Sequence, residues 1–127
     1  MNKNLIDRIV RIVFALIIIG SGLAMLLGFI TNMEYSSQSA NAFLKAMDDT
    51  NYFFPFLALV KVLCGISILL NKFEKIALII FIPVSINMVM FHIFLAPAEG
   101  IPAYLILIMN SYLMVNRIKS YQPIFKK

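Results

Sequence analysis

Lys61, Asn87, His92 and Asn110 stand out as polar side chains of reactive or hydrogen-bonding type inside long apolar runs. An ammonium at mid-depth in a bilayer costs about 2.5 to 3.5 kcal/mol on insertion scales, so Lys61 must face a partner, a cavity or water. A carboxamide between helices contributes about 0.6 to 2 kcal/mol through each hydrogen bond, which suits Asn87 and Asn110 to fixing helix register or holding a polar ligand. The imidazole of His92 can titrate or bond a carbonyl. Alone it cannot supply the paired axial ligands of a haem-carrying bundle. Cys64 is the single cysteine. It lies one turn from Lys61, closes no disulfide, cannot run two-thiol exchange, and reads as a small core filler. The sequence offers no Cys/His metal spacing, no nucleophile with a base, no paired intramembrane carboxylates and no Gly-rich phosphate loop. The candidate ligand-binding set is therefore Lys61, Asn87, His92 and Asn110, with no catalytic or metal-ligating residues assigned.

The elements that must position these residues are read from hydropathy. The 127 residues are 61% apolar and 13% charged, with a mean hydropathy of +0.91. A soluble domain is about a quarter charged, so a free-standing soluble enzyme and a disordered chain are both excluded. A transmembrane helix needs about 20 mainly apolar residues. Four stretches qualify: Ile12 to Ile30, Tyr52 to Leu70, Ile76 to Pro97, and a shorter one from Ile101 to Asn116. Short connections at Asn71 to Lys75 and Ala98 to Gly100 make neighbouring helices antiparallel. The expected fold is an all-α transmembrane four-helix antiparallel bundle forming one domain over residues 1–127.

Charge placement predicts the direction. Lys3, Arg8, Arg11, Lys72, Lys75, Arg117, Lys119, Lys126 and Lys127 all fall on one side, against Lys45 alone on the other. Short basic loops stay cytoplasmic, so both ends of the chain are expected in the cytoplasm of a multi-pass protein of the cell's inner (plasma) membrane. The net charge of +5 is then a topology signal and an affinity for anionic headgroups, not a nucleic-acid footprint. A cleaved signal peptide is the weaker reading of the first apolar run, because no small-x-small cleavage site opens into a soluble domain.

In the long loop, Ala40, Phe43, Leu44 and Met47 repeat at helical spacing, which predicts an amphipathic helix over 39–48 lying on the outer surface. Ser39 is the expected N-cap, and Asn51 with Pro55 turns the chain into the second span. Gly20, Ala24 and Gly28 form a small-xxx-small stripe for close approach to a neighbouring helix, in this chain or in a second copy. Pro83 is expected to free a backbone carbonyl and kink the third span.

Counting residues puts Ser21, Lys61, Asn87 and Asn110 near the centres of the four spans, a polar layer to which every helix contributes. His92 lies about 7.5 Å further out. Two main readings stand. In one, Lys61 hydrogen-bonds Asn87 and Asn110 to lock register. In the other, the layer lines a cavity for a polar or redox-active headgroup; snorkelling of the Lys61 stem is a lesser third. His92 is either a satisfied structural histidine or part of the outer mouth of that cavity.

The runs Ala42 to Pro55 (AFLKAMDDTNYFFP), Val62 to Phe73 (VLCGISILLNKF) and above all Pro83 to Pro97 (PVSINMVMFHIFLAP) resemble the DoxX-like family of small four-helix membrane proteins. The best motif is Asn87 with Phe91-His92, followed by Leu95-x-Pro97. The resemblance implies association with quinol-linked oxidoreductases: an accessory or quinone-interacting subunit, with quinone as the implied cofactor and a membrane or peripheral redox partner. Relatives often carry an acid just before the V-x-x-G run of the second helix. Lys61 takes that place here, so a role needing a carboxylate there is lost or inverted. Two alternatives come from other classes: a small-solute transporter, although the first span lacks the carboxylate such pumps use, and a structural or assembly protein with no ligand. A homo-oligomer is compatible with any of the three.

Overall fold

The computed structural model describes residues 3–28 and 34–125, and among these it contains helices and no strand. The helices are α1 (Lys3–Leu26), α2 (Gln38–Asp49), α3 (Phe53–Leu69), α4 (Glu74–Leu95), α5 (Ile101–Val115) and α6 (Ile118–Phe125), with a 3-10 turn at Pro97–Glu99 between α4 and α5. Continuous runs of Leu, Ile, Val and Phe favour helix because backbone groups in hydrocarbon must be paired within the segment. α1 and α4 are each long and apolar enough to cross a membrane, and the bent pairs α2–α3 and α5–α6 pass the same test. Phe29 and Ile30, the end of the first predicted span, lie outside the described residues.

The bundle is held by a seam in which every third or fourth residue is buried. α1 contributes Phe14, Ala15, Ile18 and Met25; α3 contributes Ala58, Cys64, Gly65 and Ile68; α4 contributes Ala77, Leu78 and Phe81; α5 contributes Ala103, Ile106 and Leu113. Phe14 meets Phe81 edge-on, with centroids 5.7 Å apart, a favoured aromatic geometry. The outward faces are just as apolar: Leu16, Phe56, Ile80 and Ile108 are all more than half exposed. Burial alone therefore cannot explain the composition. Large apolar side chains on every outer face fit acyl chains as the surroundings.

α1 packs most extensively on α3, and the small residues that allow it are not the Gly20, Ala24 and Gly28 stripe. A Cβ on Gly20 would meet nothing within 4 Å, whereas one on Gly22 would lie 2.9 Å from Val62 and 3.1 Å from the Lys61 Cβ. A Cβ on Gly65 would collide with Ile19 and lie 3.2 Å from the Ala15 carbonyl oxygen. The close approach is thus between Gly22 and Gly65 and the faces opposite them, two residues on from Gly20, which is exposed.

One other expectation is corrected. The N-cap of α2 is Ser37, whose hydroxyl accepts from the Ala40 amide at 3.3 Å, because α2 starts at Gln38, two residues ahead of its apolar stripe. α4 continues through Pro83 as one helix; the proline cannot donate to the Ile79 carbonyl one turn earlier, and the carboxamide of Asn87 donates to the Pro83 carbonyl at 3.0 Å. Asn51 does turn the chain, with φ 65°. Between α3 and α4, Asn71 and Phe73 adopt φ 58° to make the tight reversal.

The start of α1, the α3–α4 turn and the α5–α6 junction meet at one end of the bundle. There the guanidinium of Arg117 donates to both Asp7 oxygens at 3.0 and 2.9 Å, to Glu74 at 3.0 Å and to the Leu113 carbonyl at 2.9 Å. Arg11 donates to the Ile68 and Leu69 carbonyls at 2.6 and 2.9 Å, in the last turn of α3, where carbonyls lack their i+4 helical donors. α6, which was not expected from the sequence, turns 75° from α5 and is pinned by the Tyr121 hydroxyl donating to the Lys75 carbonyl at 2.8 Å. At the opposite end, α2 meets α3 at 90° and lies across the bundle.

Candidate functional site

Beneath α2, the bundle encloses a cavity of about 760 Å³ between α2, α3 and α4. Its wall is mostly Phe, Leu and Met: Phe43, Leu44 and Met47 from α2, Phe53, Phe54 and Leu57 from α3, and Met88, Met90, Phe91, Phe94 and Leu95 from α4, with Met25 of α1 and Tyr35 closing the rest. Phe56, Met90 and Phe94 line it and are themselves 62%, 47% and 75% exposed. The cavity is therefore open along the flank of the bundle, where an apolar molecule in the bilayer would meet it.

Three of the four sequence-predicted site residues line this space: Lys61, Asn87 and His92. Lys61 lies eight residues into α3 from Phe53, and Asn87 lies eight residues into α4 from Leu95. At 1.5 Å per residue, both are about 12 Å below the α2 end, one on each facing helix. Lys61 is only 3% exposed, and its ammonium donates to the Ser21 hydroxyl at 2.9 Å. That bond replaces the expected ones to Asn87 and Asn110. It follows from the Gly22 contact, since the lysine stem lies against α1 and its tip reaches the neighbouring serine.

His92 is half-buried near the outer mouth. Its Nδ1 lies 3.3 Å from the Ala96 carbonyl oxygen, and its ring stands edge-on to Tyr35 and Phe91 at 5.7 and 5.1 Å. Phe91 also packs on Phe43 of α2 at 5.3 Å. This aromatic cluster fastens α2 over the cavity. Asn41 anchors the preceding loop by accepting from the Tyr35 amide at 2.7 Å and donating to its carbonyl at 2.9 Å. Sequence reading missed Tyr35, which precedes any periodic pattern.

Asn110 is not among the residues lining the cavity. It is fully buried in the seam between α4 and α5, where its amide approaches the Ser85 hydroxyl at 3.5 Å and its Oδ1 has no partner. The expected single layer therefore divides into two polar pairs: Lys61 with Ser21 between α3 and α1, and Asn110 with Ser85 between α5 and α4. Residue counting finds depth but not the angle around each helix, and the angle separates them.

Chemically, the cavity offers one cationic donor at its floor, a carboxamide with one N–H still to give, and an imidazole near its mouth. Among the described residues lining it there is no carboxylate, and no group of three metal-ligating side chains occurs among the described residues. No protein-family model, curated protein or solved structure matches this chain. The functional reading therefore rests on the site itself.

Proposed function

We propose that this chain is a multi-pass membrane protein that holds the polar headgroup of a membrane-soluble ligand, acting as an accessory or quinone-interacting subunit of a membrane oxidoreductase. The observation that carries the reading is the apolar, flank-open cavity lined by Lys61, whose ammonium has a neutral hydroxyl as its hydrogen-bond partner. Ligand sites are concave and mostly apolar, with a few placed polar groups that fix orientation. A quinone has carbonyl oxygens that accept from Lys61 and Asn87 and an isoprenoid tail that suits the Phe- and Met-lined flank. The redox assignment follows the resemblance to DoxX-like proteins; any electron transfer would be performed with a partner chain. In this reading the basic end faces the cytoplasm of the inner (plasma) membrane, so the cavity draws from the outer leaflet.

The test is purification in a mild non-ionic detergent, mass spectrometry of co-purifying quinones, and titration with decylubiquinone. Binding that disappears in Lys61→Met while the variant keeps its helical content and thermal midpoint supports the site. Wild-type affinity in that variant overturns it.

A further inference from the structure

Among the described residues, the Lys61 ammonium has no carboxylate partner. Its hydrogen-bond partner is a neutral hydroxyl, whereas the ion pairs found among the described residues belong to Arg117. Among the carboxylates whose side chains are described, Asp7 and Glu74 are both engaged by Arg117 at the far end of the bundle, and Glu34, Asp48 and Asp49 are exposed. A buried cation on a residue that lines an apolar cavity is stabilised most by an opposite charge brought into hydrogen-bond contact, because attraction is strong where water is excluded. The cavity supplies the rest of the specification. It has a single cationic centre, a long Phe- and Met-lined wall running about 12 Å toward the α2 end, and an open flank beside Phe56, Met90 and Phe94.

We infer that this cavity takes a long-chain carboxylic acid as its anion, the carboxylate seated on Lys61 and the single alkyl chain lying along the flank. The inference rests on the reading of this cavity as a ligand site and names a second ligand class for it, recognised by charge where a quinone would be recognised by neutral acceptors. A carboxylate matches the site better than a phospholipid headgroup does. It is the smallest acidic headgroup, it carries one charge for one ammonium, and it brings one chain. Asn87, which also lines the cavity, has one N–H committed to the Pro83 carbonyl and a second to offer a ligand.

The experiment uses the full chain in phosphatidylcholine nanodiscs at neutral pH, with radiolabelled palmitate as probe and hexadecanol, decylubiquinone and phosphatidylglycerol as competitors. Palmitate is expected to bind at least about tenfold more tightly than hexadecanol, the lower range for one hydrogen bond to a charged group. Lys61→Arg should keep that preference and Lys61→Met should erase it. Equal binding of acid and alcohol by the wild-type protein overturns the inference without recourse to any variant, as does phosphatidylglycerol displacing palmitate on equal terms. If decylubiquinone binds and palmitate does not, the carboxylate inference falls while the proposed function stands. The reverse result overturns the quinone assignment alone, and binding of neither removes both.

Discussion

Arg117 and Lys61 are both buried cations, one at each half of the bundle, and their surroundings are opposite. Arg117, with 12% of its side chain exposed, is bracketed by Asp7 and Glu74, themselves only 23% and 14% exposed. Every neighbour is a full acceptor, and the result is a clasp joining α1, α4 and the α5–α6 junction. Lys61 is buried more deeply yet touches one neutral hydroxyl and an open cavity. A cation neutralised from within holds helices together. One left with a neutral partner beside a cavity has no such clasp to make, which is what the proposed ligand site requires of Lys61.

That contrast can be broken in four ways. Arg117→Met leaves two partly buried carboxylates without their counter-ion. Removing one partner of a buried pair costs 3–5 kcal/mol, so a loss of about 3 kcal/mol is expected here, read as a large fall in the thermal midpoint in detergent. Gly65→Ala should cost about 1–3 kcal/mol by overpacking, since its new methyl collides with Ile19; Gly20→Ala, facing open space, should be neutral or slightly stabilising, and equal effects at the two sites would contradict the α1–α3 contact. Ser37→Ala should cost about 1 kcal/mol of α2 stability, visible as faster amide exchange over Gln38–Asp49, the helix that covers the cavity. Smallest of all, Lys61→Met should leave fold stability within about 1 kcal/mol of wild type, because an apolar chain of similar length replaces an unpaired charge. A loss at Lys61 as large as that at Arg117 would show that Lys61 is structural and remove the distinction.

Most of the architecture is legible in the sequence because hydrophobic length is a one-dimensional property. The four apolar stretches and the α2 stripe correspond to helices, with bounds matching within about two residues for α2 to α5 and α1 beginning well ahead of its apolar stretch, at Lys3; the Asn71 and Asn51 turns fall where their chemistry suggests. What escaped is angular or long-range. Lys61, Asn87 and Asn110 share a depth, but only the packing of α1 against α3 decides that Lys61 finds Ser21 and that Asn110 is turned into the α4–α5 seam. Arg117 reads as one more basic residue in a basic segment. Its role needs Asp7 and Glu74, the two acids that the chain places at that same end, and pairing over 110 and 43 residues has no local signature. α6 is too short for its Ile118, Tyr121 and Ile124 spacing to stand out.

The two bends have a mechanical consequence. α2 turns 90° from α3 at one end, and α6 turns 75° from α5 at the other, so the column is flanked by two crossbars. Between them α4 spans 22 residues, about 33 Å at the helical rise, close to the hydrocarbon thickness of a bilayer. Were both crossbars to lie in the two interfaces, tilting to absorb mismatch would lift one of them out, and the surrounding lipid would stretch or compress instead. The pocket floor would then keep a constant height relative to the glycerol backbone whatever the membrane's composition, like a mark cut on a ruler held at both ends.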